Sequence, residues 1–187
     1  MSHMQLLALV SAVWVASEVG VAVVKRSRTE GERRDRGSFT LLWIFITLAV
    51  FAGSALRGLR ATRIAHADAA FWSGIALIVA GVMLRAAAIA TLRRYFTVDV
   101  AIREGHELVE RGPYRVVRHP AYTGSLLSFL GLGLAFGNWA SVAVIMLVAG
   151  MAFAYRIAVE ERALIAHFGE RYRAYAARTK RLVPGVY

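Results

Sequence analysis

Two short stretches set costly polar side chains against apolar runs. Residues 118–124 read Arg-His-Pro-Ala-Tyr-Thr-Gly, and Arg156 is followed by the adjacent carboxylates Glu160 and Glu161. Pro120 has no backbone donor and suits the first turn of a helix, which puts His119 at the N-cap. A helix N-terminus offers unpaired N–H groups and the positive end of the helix dipole. Arg118, His119 and those amides together suit an anionic or polar ligand group. Tyr122 adds a flat ring with a hydroxyl, and Gly124 leaves room for a second backbone or a flat ligand. In the other stretch, a spacing of four puts Arg156 and Glu160 on one helical face. That spacing serves an intrahelical ion pair equally well, but two adjacent carboxylates at an apolar boundary also attract a cation and accept from amine or ribose groups. On the residues alone, the Arg-His-Pro stretch is as well suited to anchoring a helix at lipid headgroups as to holding a ligand.

The elements that position these groups are membrane helices. Of the 187 residues 58% are hydrophobic, and the mean hydropathy of +0.52 does not fit a soluble domain. Apolar runs at 4–24, 39–56, 71–92, 122–136 and 139–155 approach or reach the ~20 residues that cross a bilayer core as a helix. The first run is longer than a secretory signal and lacks its basic flank and cleavage site, so it reads as a retained span. The formal charge of +11 is distributed by topology. Residues 25–36 and 93–118 carry six Lys or Arg each and the segment from Arg156 onward seven, against three in 57–70. The positive-inside rule then puts the N-terminus outside and the C-terminus in the cytoplasm, and it makes nucleic acid a poor partner for this charge. There is no cysteine, which excludes disulfides, thiolate nucleophiles and Cys-ligated metals. The five histidines include no i, i+4 pair, so no metal site is expected.

The expected fold is thus all-α, with about five transmembrane helices and a cytoplasmic amphipathic C-terminal helix. Gly137-Asn138 joins the fourth and fifth spans into a tight hairpin over 120–155. Gly124, Ser128, Gly131 and Ala135 form a small-residue stripe for helix packing. Ile157, Leu164, Phe168, Tyr172 and Tyr175 recur at helical spacing and predict the amphipathic helix over 157–178. Residues 93–121 mix a short β-branched stretch with a Gly-Pro turn at 112–113. Arg85 lies inside the third span and suits either snorkelling to the interface or a polar pocket. Glu18 lies in the last third of the first span and reads as an interfacial residue near Lys25 and Arg26.

The sequence LVERGPYRVVRHPAYTGSLL, followed after a hydrophobic hairpin by YRIAVEERALIAHFGERYRAYAARTKRLVP, closely resembles the isoprenylcysteine carboxyl methyltransferase family and its phospholipid methyltransferase relatives. The resemblance covers residues 93–184, so the chain divides into N-terminal spans at 1–92 and a methyltransferase-like core at 93–187. It implies an integral membrane enzyme that binds S-adenosylmethionine in a cytoplasm-facing pocket and releases S-adenosylhomocysteine. No strand-linked GxGxxG is present, consistent with a pocket unlike the soluble nucleotide folds. In that family His119, Tyr122 and Gly124, with Glu160 and Glu161, would line the cofactor site. Arg156 would orient the methyl acceptor, and Tyr114, Arg115 and Arg118 would be further pocket residues.

The acceptor implied is lipophilic, entering from the bilayer between spans three, four and five. A prenylated cysteine carboxylate gives the family its name, with other lipophilic carboxylates, amines, thiols or phenols as further acceptors. An NADPH-dependent membrane sterol or lipid reductase, and a non-catalytic membrane scaffold, are the two other readings of the same features.

Overall fold

The computed structural model describes residues 1–25, 38–96 and 107–186. The β-branched stretch, His106 and the basic residues from Arg26 to Arg36 lie outside the described residues. Among those described, the regular structure is helical: α1 (His3–Lys25), α2 (Ser38–Leu56), α3 (Ala67–Leu92), α4 (Pro120–Ala135), α5 (Trp139–Phe168) and α6 (Glu170–Arg178). Short 3₁₀ turns at Arg60–Thr62, Arg93–Tyr95 and Gly112–Arg115 lie in the connections. α1, α3 and α5 are long and apolar enough to cross a membrane, while α2 and α4 are shorter. Many large apolar side chains face outward, among them Val23, Phe51 and Leu147. An apolar exterior of this kind belongs in lipid, and the chain is an integral membrane protein.

α3 and α4 make the tightest seam, and small residues are the reason. A Cβ on Gly81 would stand 2.4 Å from the Gly124 carbonyl, and one on Gly131 would stand 2.4 Å from the Gly74 carbonyl. Ser128 Oγ donates to the Ile78 carbonyl at 3.3 Å across the same seam. The stripe on α4 therefore meets a matching pair of glycines on α3 one heptad apart, and the two backbones pack in direct contact, as lipid-embedded helices do when no side chain intervenes. Gly124 is used in this seam and does not face the cavity described below.

At the far end of the bundle, the Gly137-Asn138 turn is pinned to the α2–α3 connection. Asn138 is fully buried, caps α5 by accepting from Ala140 N at 2.9 Å, and donates to the Leu59 carbonyl at 2.8 Å. α2 packs along α5, while α1 rests lightly, chiefly on α3.

The expected boundary between a fifth span ending at Tyr155 and a separate amphipathic helix is absent. α5 runs unbroken for 30 residues, about 45 Å. Nothing between Tyr155 and Phe168 disfavours a helix, since Ala, Arg, Glu and Leu dominate there. The break comes at Gly169, whose φ of 55° ends α5 and starts α6 in a new direction. The amphipathic segment is thus the end of α5 plus α6, with Ile157, Tyr172 and Tyr175 buried against the rest.

Candidate active site

The expected site residues converge where α4 begins and the apolar part of α5 ends. His119 is the N-cap residue of α4 and Pro120 its first residue, as the motif predicts. The His119 ring does not cap the helix. It is 4% exposed and turns toward α5, with Nε2 3.3 Å from Glu161 Oε1 and Nδ1 3.8 Å from Glu160 Oε2. Arg118 Nε donates to Glu161 Oε1 at 3.0 Å, and its Nη1 donates to the Ala176 carbonyl at 2.9 Å and to the Thr179 carbonyl. Arg181 Nε donates to Glu161 Oε2 at 3.1 Å. Glu161 is therefore the buried anion on which two arginines and a histidine converge, a geometry that offsets the cost of desolvating all of them.

Glu160 faces the other way. Its Oε2 accepts from the Tyr122 hydroxyl at 2.9 Å, and Arg156 interacts with the same hydroxyl. Arg156 is 2% exposed. The Tyr122 ring lies between His119, at 5.7 Å between centroids, and Phe153, at 5.2 Å.

The chain after α6 closes this end. Val117 and Lys180 form a parallel bridge, the amides of Arg118 and His119 donate to the carbonyls of Lys180 and Arg181, and Thr123 Oγ1 donates to the Leu182 carbonyl. The backbone amides of Arg118 and His119, just before α4, are thus taken by residues 180–181.

A cavity of about 570 Å³ opens from this cluster. Arg118, His119, Tyr122, Arg156 and Glu160 line its polar end, and Leu7, Ile46, Val50 and Phe129 its apolar length. α1 and α2 form the outer wall against the inner faces of α4 and α5. The α3–α4 seam, part of the route expected from sequence, is closed by backbone contact, and α1 and α2 line the cavity opposite it. Glu161 stands behind the lining and holds Arg118 and His119 in place. Arg115 is exposed and away from the cavity.

Four cavity residues were not among the expected site residues, although Tyr172 and Tyr175 lie in the second motif stretch. Tyr172 and Tyr175 on α6 close the polar end. Tyr175 donates its hydroxyl to the Tyr114 carbonyl at 2.6 Å, and burial, opposed by Arg118, pushes its ionisation up to about 12. Burial raises Tyr172 further, with Glu161 and Glu160 adding to the effect, so its hydroxyl is a neutral donor. Among the described residues that buried hydroxyl has no hydrogen-bond partner, although its residue lines the cavity. Glu18 and Arg85 are the other two, and they pair across the cavity wall at 2.5 Å. The sequence signal for them was a charge inside an apolar run, and the pairing itself was not legible there.

A phospholipid methyltransferase family profile matches residues 69–171, just over half of the chain. Protein-S-isoprenylcysteine O-methyltransferase B of Arabidopsis thaliana is 39% identical over 115 residues, covering 60% of this chain and 58% of that protein. Protein-S-isoprenylcysteine O-methyltransferase of Schizosaccharomyces pombe is 32% identical over 114 residues, covering 60% of this chain and 48% of that one. The matched segment thus spans less than two thirds of these curated relatives. The structure of a eukaryotic intramembrane Ras methyltransferase, isoprenylcysteine carboxyl methyltransferase, aligns with a TM-score of 0.64 at 23% identity, over 95% of this chain and 64% of that one. At that identity the likeness is one of fold.

Proposed function

The chain belongs to the phospholipid methyltransferase family, and on that premise we propose that it transfers a methyl group from S-adenosylmethionine to the carboxylate of a prenylated cysteine or a similar lipid-like acid. The observation that carries the reading is the single cavity that joins a polar, charge-lined end to an apolar length reaching α1 and α2. A cytosolic cofactor and a membrane-borne acceptor need such a junction, and a soluble fold does not provide one.

The residues fit the cofactor. The amino acid and ribose groups of S-adenosylmethionine need both donors and acceptors, and the unpartnered Tyr172 hydroxyl and the one-third-exposed Glu160 carboxylate supply one of each. When bound, the cofactor supplies an electrophilic sulfonium methyl. The chain's task is then to align and to exclude water rather than to activate. Phe153 and the Tyr122 ring cover the junction. Arg156 orients the acceptor carboxylate, and the Tyr122 hydroxyl holds Arg156 in turn. Transfer to a carboxylate would turn it and the sulfonium into a neutral ester and a neutral thioether. Two opposite charges vanish together, which a low-dielectric site favours. No proton has to move, so His119 and Glu160 act as binding groups for this acceptor. The polar end faces the cytoplasm, where the cofactor is.

The test is calorimetry on the detergent-solubilised protein with S-adenosylhomocysteine, using NADPH as control, followed by methyl transfer to a prenylcysteine acid. Saturable binding of S-adenosylhomocysteine alone, with ester formed, is expected. Glu160→Gln and His119→Ala should weaken that binding roughly tenfold or more, the scale of a lost hydrogen bond to a charged group. Arg156→Ala should retain binding and lose turnover. Binding of NADPH alone would overturn the proposal in favour of a reductase, and equal cofactor affinity in all variants would overturn these roles.

A further inference from the structure

Arg85 and Glu18 are charges inside apolar helices, and such groups are retained in a bilayer only with a partner and a purpose. They form an ion pair, Arg85 Nε to Glu18 Oε1 at 2.5 Å, outside hydrogen-bond geometry, with side chains 15% and 14% exposed. Both line the cavity, so the pair is a wall of the site rather than a strut buried between helices. Arg85 belongs to α3, locked to α4 by the glycine seam, and its Nη1 donates to the Ala121 carbonyl at 3.3 Å in the first turn of α4. It is also close enough to Tyr114 to act electrostatically on a hydroxyl that feels Glu160 as well. The guanidinium is therefore fixed beside the reacting end.

Glu18 is held differently. It belongs to α1, which lies before the residues matched by the family profile and rests only lightly on the bundle, with Val19 and Val23 turned outward. One turn before it, Trp14 is 6% exposed and lines the same cavity, and its indole N–H has no partner among the described residues. One face of a loosely held helix thus presents the cavity with a carboxylate, with a buried, unpartnered donor one turn away.

We infer that Glu18 is an internal counter-carboxylate, which occupies Arg85 in the empty enzyme and is exchanged for one oxygen of the acceptor carboxylate, the group whose other oxygen Arg156 orients. The inference rests on the methyltransferase reading and deepens it, because the exchange distinguishes substrate from product. An acceptor acid carries the negative charge needed to replace Glu18 at a desolvated guanidinium. The methyl ester does not, and leaving Arg85 with a neutral partner would be costly. After transfer, Glu18 regains Arg85, α1 closes on α3, and the ester is returned to the bilayer. Removing this competitor should favour the acid alone, by the reciprocity of two ligands that share one site.

The experiment measures the affinity of an N-acetylated prenylcysteine, as free acid and as methyl ester, for the detergent-solubilised protein saturated with S-adenosylhomocysteine. Glu18→Gln is expected to raise the acid-to-ester affinity ratio roughly tenfold, within the usual range of coupling between two ligands. The KM for the acid should fall, and S-adenosylhomocysteine affinity should hold. Glu18→Asp, shorter by one methylene, should shift the ratio the same way by less, and it carries the test if Glu18→Gln does not fold. Acid and ester affinities that change in parallel, or a ratio unchanged in variants that still bind S-adenosylhomocysteine, would overturn the exchange. Loss of S-adenosylhomocysteine binding in the parent would instead bring down the methyltransferase reading beneath it.

Discussion

Single residues at the polar end divide into those that meet a ligand and those that hold them. Glu161 belongs to the second group although it is adjacent to Glu160, because successive residues on a helix point about 100° apart. Its carboxylate is shared by Arg118, His119 and Arg181. Glu161→Gln leaves Arg118 buried beside a neutral partner. We expect a loss of about 3 kcal/mol of stability, as for other broken buried pairs, together with weaker S-adenosylhomocysteine binding. Thermal unfolding in detergent, run beside the calorimetry, checks both. Glu160→Gln should weaken binding with a much smaller effect on unfolding, since Glu160 is one-third exposed and accepts from one tyrosine hydroxyl. The residue types and the order of the motifs pointed to both carboxylates. Which of the two faces the cavity depends on helix phase, which the sequence leaves free.

Among the elements, α3 and α4 form the rigid half of the site because their backbones touch. Gly81→Val would drive a side chain into the Gly124 carbonyl and Ser128, where the neighbour is backbone and cannot yield. A cost of about 1–3 kcal/mol or more is expected from overpacking, visible as a lower unfolding temperature in detergent. Gly150 on α5 is the control. A Cβ there would meet nothing within 4 Å, so Gly150→Ala should be neutral, or stabilising by up to about 1 kcal/mol through helix propensity. Equal destabilisation by the two substitutions would refute the seam. The small-residue stripe on α4 was legible as a packing face. Its partner was not, because Gly74 and Gly81 find their counterparts only when two helices more than forty residues apart are brought together antiparallel.

At the scale of the molecule, the segment after α6 completes the site from the far end of the chain. Arg118, His119 and Thr123 all donate to carbonyls of residues 179–182. Removing the residues after Thr179 should therefore lower S-adenosylhomocysteine affinity at least tenfold, the effect of losing several such bonds at once, while helical content by circular dichroism stays close to the parent's. Affinity retained after the deletion would show that α4 orders its own N-terminus. The sequence by itself determined the membrane character, the first four helices to within a few residues, the N-cap and proline at His119-Pro120, and the motif residues that gather at one end. These follow from local properties: hydropathy, proline geometry, helical periodicity and side-chain chemistry. The tertiary structure alone decided the place of Gly124 in the helix seam, the carbonyls that take the Arg118 and His119 amides, and the meeting of Glu18 with Arg85. Each of those depends on which surfaces are brought face to face, and long-range packing settles that after local preferences have been satisfied.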